Sequence, residues 1–97
     1  MAAEATIETF RPAVGEAFAV GGEEDDTVEL LLVEAEPKDG GPGAPRPAFS
    51  LLFHGPAEPA LTQGTYRFEH PGIGAMGIFI VPLGRDEHGS VYEASFA

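Results

Sequence analysis

At 97 residues and without cysteine, the chain has room for one core and excludes a disulfide framework, a thiolate metal site and a cysteine nucleophile. Its formal net charge of −11 is concentrated in residues 1–48, which hold eleven acids against three bases. A field of that sign repels nucleic-acid phosphates and anionic membranes, so neither is expected as a partner.

Thirteen glycines, nine prolines and a 43% hydrophobic content describe a globular chain cut into short pieces. Helix interiors tolerate neither Gly nor Pro, so this punctuation predicts strands joined by turns. The opening Met1-Ala2-Ala3-Glu4-Ala5 has no basic or apolar leader pattern. The longest apolar stretch, Ile78 to Leu83, is too short to span a bilayer. The expectation is one soluble, cytoplasmic domain over residues 1–97.

In chain order, Thr6 is placed to N-cap a short helix through Phe10, which Pro12 and Gly15 bring to an end. Its role would be to lay Ile7, Phe10 and Val14 across the mouth of a sheet. Glu16 to Val20 reads as a strand with Phe18 and Val20 on one face, followed by the charged turn 21–26. Thr27 to Ala35 is a strand with Val28, Leu30 and Leu32 on one side and Leu31 and Val33 on the other. Apolar neighbours are expected on both faces. Residues 36–47, rich in Pro and Gly, are expected to form a flexible hairpin loop without core residues.

Ala48 to His54 alternates, with Phe49, Leu51 and Phe53 toward the core. Gly55-Pro56 stops that strand, and the connection to Gly64 carries one apolar anchor, Leu61. Thr65 to His70 turns Tyr66 and Phe68 inward and Thr65, Arg67 and Glu69 outward. Met76 to Leu83 is the next strand, Gly84 to Gly89 a polar turn, and Ser90 to Phe96 the last strand. The fold predicted is all-β, a small six-stranded antiparallel barrel or sandwich with a short N-terminal helix. No internal repeat is visible.

Gly72-Ile73-Gly74-Ala75-Met76-Gly77 spells G-x-G-x-x-G, which in a dinucleotide fold turns a strand into a helix that holds a pyrophosphate. Here β-branched residues and Pro82 follow instead of a helix, so the glycines are read as permitting a turn and a bulge. His54, His70 and His88 form no metal-ligand spacing, and the acidic run Glu23 to Asp26 lacks the alternation of a calcium loop. Ser50, Ser90 and Ser95 lie within strands, away from any nucleophile elbow. Glu69 and His70, adjacent on a strand, point to opposite faces. No catalytic residue, metal ligand or cofactor is therefore assigned.

Several stretches read together resemble a known pattern. They are Phe10-x-x-x-x-Gly15-x-x-Phe18, Phe49-Ser50-Leu51-Leu52-Phe53-x-Gly55-Pro56 and Leu61-x-Gln63-Gly64-Thr65-Tyr66. They continue with His70-Pro71-x-Ile73-Gly74, Val81-Pro82-x-Gly84 and Tyr92-Glu93-Ala94-x-Phe96. This pattern resembles an uncharacterised family of small bacterial all-β domains, loosely associated with phage-tail or collar-like genes. The resemblance implies a stand-alone β domain and brings no activity with it.

Two functions follow as expectations. The first is a non-catalytic structural or protein-interaction domain, self-associating or bound to a protein partner through a strand edge. The second is a small-molecule-binding barrel or modest enzyme, its pocket formed near His54, Tyr66, Arg67 and His70. There Arg67, one of five basic residues, would receive an anion. The competing reading of Arg67 is a surface ion pair with a neighbouring acid.

Overall fold

The computed structural model describes residues 6–21, 27–38, 48–58, 60–87 and 89–96. A short helix α1 (Ile7–Phe10) runs into a 3₁₀ turn (Arg11–Ala13). Six strands follow: β1 (Ala17–Gly21), β2 (Thr27–Lys38), β3 (Ala48–Gly55), β4 (Gly64–His70), β5 (Gly74–Asp86) and β6 (Gly89–Phe96). All pair antiparallel and close into a ring in the order β1-β2-β3-β6-β5-β4. The predicted fold class therefore holds. The ring is not a clean barrel, because β1 meets β4 only from Ala19↔Glu69 to Gly21↔Arg67. The longer strands overrun their neighbours: β5 pairs β4 as far as Ile80 and continues along β6 to Asp86.

Strand alternation selects what lies inside. Phe18 and Val20, Leu30 and Leu32, Phe49, Leu51 and Phe53, Phe68, Ile78 and Ile80, and Tyr92 and Ala94 are all buried. The interior is thus filled by side chains from every strand, at an estimated ~25 cal/mol for each Å² of apolar surface removed from water. Phe53 meets Phe18 edge-on at 5.6 Å between ring centroids and Phe68 at 5.1 Å. One end of the ring is plugged by α1. There Phe10 packs against Phe18, Phe49 and Phe96, as the sequence pattern anticipated for this residue. Thr6 is the N-cap, and its backbone N–H donates to Thr9 Oγ1 at 3.2 Å. Val14, predicted to share the mouth with Phe10, is instead exposed.

Two β-bulges overturn parts of the sequence reading. In β2 the register slips between Leu32 and Glu34, so Val33 is the extra residue and Ala35 rejoins the inner face. Leu31 lies on the outer face and is 41% exposed, against the expectation of apolar neighbours there. The strand also runs on to Lys38, with Pro37 opposite Phe49, where a loop was expected from Glu36. In β5 a second slip falls between Pro82 and Gly84, and Gly84 to Asp86 belong to the strand instead of the predicted turn. The remainder of the loop, 39–47, the acidic turn 22–26 and His88 lie outside the described residues.

The two bulges mark a relation that the sequence hides. β1-β2-β3 and β4-β5-β6 are both antiparallel meanders, and each carries a register slip on its middle strand. The slip follows the pair Leu32↔Phe53 in the first and Pro82↔Tyr92 in the second. The segment from Pro56 to Gln63 joins the meanders by crossing from β3 to β4, which are not neighbours in the ring. Two tyrosines fasten it. Leu61 N–H donates to the Tyr92 hydroxyl at 2.8 Å, and the Tyr66 hydroxyl donates to the Thr62 carbonyl at 2.8 Å.

Candidate functional site

The four residues singled out from the sequence sit in different surroundings. β3 and β4 are three strands apart whichever way the ring is followed, so His54 lies across the molecule from Tyr66, Arg67 and His70. Within β4, alternation turns Tyr66 and His70 toward the interior and leaves Arg67 outside. Arg67 Nε donates to Glu69 Oε2 at 2.7 Å, two residues along the same outer face. Both side chains are well exposed, the arrangement in which an ion pair contributes little to stability.

His70 is held on every side. Its ring is largely buried and lies 4.8 Å from the Phe18 ring, centroid to centroid. Nδ1 accepts the Gly72 backbone N–H at 3.0 Å, which places the neutral ring's proton on Nε2. Nε2 donates to Glu16 Oε1 at 2.6 Å. With both nitrogens engaged, the imidazole works as a clasp joining the end of β4 to the residue that precedes β1. That clasp braces the short β1–β4 closure. His70→Ala should lower stability by about 1–2 kcal/mol through lost hydrogen bonds and ring packing. Urea denaturation checks this, with an unchanged far-ultraviolet circular dichroism spectrum in the absence of denaturant.

Two shallow depressions lie on the outer surface. One, of about 460 Å³, is lined by Ala17, Glu29, Leu31, His54, Gly55 and Pro56. Its floor is a cross-strand row, Ala17↔Leu31 and Leu31↔His54, and the His54 side chain makes no hydrogen bond among the described residues. The second, of about 380 Å³, lies beside His70 over Ala19, Glu69, Pro71, Gly74 and Ala75. His54 and His70 thus line separate hollows. Leu31 and Glu29 were not anticipated as lining residues, since the sequence pattern sets Leu31 against apolar neighbours.

The glycine-rich motif forms the β4–β5 hairpin. Ile73 N–H bonds the His70 carbonyl at 3.1 Å, and Gly74, at φ +99°, opens β5. A strand occupies the place of the helix that a pyrophosphate requires. Of the serines, Ser90 is buried with its hydroxyl unpartnered among the described residues, and Ser95 accepts from Lys38 Nζ at 3.2 Å on an exposed surface. The described residues contain no cluster of three or more His, Cys, Asp or Glu side chains able to hold a metal ion. None of their helices is long and apolar enough to cross a membrane.

No curated protein and no solved structure matches the chain significantly. A family model described as a domain of unknown function, DUF6916, matches residues 5–96 and so takes in all six strands. The chain belongs to the DUF6916 family, a domain of unknown function.

Proposed function

We propose that this protein is a non-catalytic interaction domain, acting as a small component of a larger protein assembly. The observation that carries this reading is the filled interior. Aromatic and aliphatic side chains from all six strands occupy the space in which a ligand-binding barrel would hold its ligand, and α1 stops one end. The side chains singled out as candidates are dispersed: His54 and His70 line separate hollows, and His70 and Arg67 are each engaged by partners within the chain. A phage-tail-like assembly is the finer form of the proposal and rests on the sequence resemblance.

Ring closure also bears on how a partner attaches. The stretch of β5 beyond Ile80 lacks β4 alongside it, but Pro82 and the adjoining bulge interrupt that edge. Such features blunt strand addition, so the proposal places contacts on side-chain faces in preference to backbone edges. Native mass spectrometry and sedimentation of the protein, alone and after purification with its genomic neighbours, test the reading. A stoichiometric complex with a neighbour-encoded protein is the expected result. A strict monomer that retains none of them overturns it.

A further inference from the structure

The outer face that β2 shares with β3 and β6 combines an apolar hollow with unopposed acids. Along β2, Glu29, Leu31, Glu34 and Glu36 all face outward, the Val33 bulge having restored the phase after Leu31. Across the sheet, Glu34 stands opposite Leu52, and Leu52 stands opposite Glu93. None of Glu29, Glu34, Glu36 and Glu93 has an ion-pair partner among the described residues. Lys38, at the far end of β2, donates to Ser95. At the Glu29 end of this row lies the hollow lined by Ala17, Glu29, Leu31, His54 and Pro56, open to solvent.

We propose that this face docks an extended, basic segment of a partner protein. One apolar side chain of the segment would fill the hollow over Ala17, and its Lys or Arg side chains would meet Glu29, Glu34, Glu36 and Glu93. This deepens the interaction-domain reading and rests on it. The complementarity is both geometric and electrostatic. Alternate side chains of an extended segment recur about every 7 Å, the same interval that separates the outward residues of β2. A net charge of −11 draws a cationic partner in and repels a second copy of this chain. The apolar anchor supplies the central contact, and the glutamates form a rim that gives orientation and rate.

The test uses a short capped peptide alternating arginine with leucine, titrated into the isotope-labelled protein and followed by NMR. Chemical-shift changes should gather on Ala17, Glu29, Leu31, His54 and Gly55, and affinity should fall as salt is raised. Leu31→Ala, a change at an exposed position, should weaken binding about tenfold. The pair Glu34→Gln and Glu93→Gln should flatten the salt dependence, whereas Glu69→Gln, outside this face, should alter neither. Absence of binding, shifts gathered elsewhere, or a Leu31→Ala variant that binds like the parent overturns the proposal. A second arm separates it from the reading beneath it. If a genomic-neighbour partner binds Leu31→Ala as tightly as the parent, this face is wrong and the interaction role stands. If no partner binds the parent either, the interaction role falls as well.

Discussion

Phe53→Ala should destabilise the protein by about 3–5 kcal/mol, the range for removing a fully buried aromatic ring. Phe53 has no exposed surface, and its ring meets those of Phe18 and Phe68. In the sheet it stands opposite Leu32 on β2 and Tyr92 on β6. Truncation therefore opens a cavity where both meanders meet, and the hydrogen-bonded strands around it restrict collapse into the gap. For a domain with roughly 5–15 kcal/mol of total stability, that loss approaches the whole. The urea midpoint should drop sharply with an unchanged slope. Phe79→Ala removes the same ring from a position 49% exposed on the outer face and should cost less than about 1 kcal/mol. Equal losses at the two positions would show that the core is not where the ring closure places it.

Gly89→Ala should cost about 2–4 kcal/mol for a different reason, one of backbone and not of packing volume. Gly89 opens β6 opposite Asp86 with φ of +125°, a conformation that side-chain-bearing residues rarely adopt. A Cβ there would also collide with the Gly55 carbonyl oxygen, which flexible side chains could not relieve because the obstacle is main chain. Gly15→Ala is the matched comparison. Gly15 has φ of +93°, but nothing lies within 4 Å of its would-be Cβ. Only the conformational penalty of about 1–2 kcal/mol applies at that site. Thermal unfolding of the two variants side by side should rank Gly89→Ala clearly lower; the reverse order would mean that the main chain at Gly55 and Gly89 shifts to admit the added methyl.

The candidate site was less legible than the core, and the reason is sequence separation. Residues of a β core announce themselves by period-two alternation within one segment, as Phe49, Leu51 and Phe53 do. Contacts between strands leave no local trace. The His70–Glu16 hydrogen bond spans 54 positions and the Leu61–Tyr92 bond spans 31, so neither had a signal in either partner's neighbourhood. Arg67 and Glu69 did have such a signal, being two apart on one strand face, and they form the exposed pair that the local pattern suggested.

Composition and alternation alone determined the all-β class, the number of strands, the identity of most core residues and the strand–turn–strand character of the glycine-rich motif. Those properties depend on the period of a single segment and on where Gly and Pro interrupt it. The tertiary structure decided the strand order, the crossover from β3 to β4 and the closure of β1 on β4. It also decided the bulges at Val33 and Leu83, because an extra residue is set by the register of the partner strand and not by the bulged strand itself. The Val33 bulge turned Glu34 and Glu36 to the outward face that Glu29 and Leu31 already share by alternation. Leu31, expected to meet apolar neighbours on that face, lies exposed instead and is the centre of the proposed docking face.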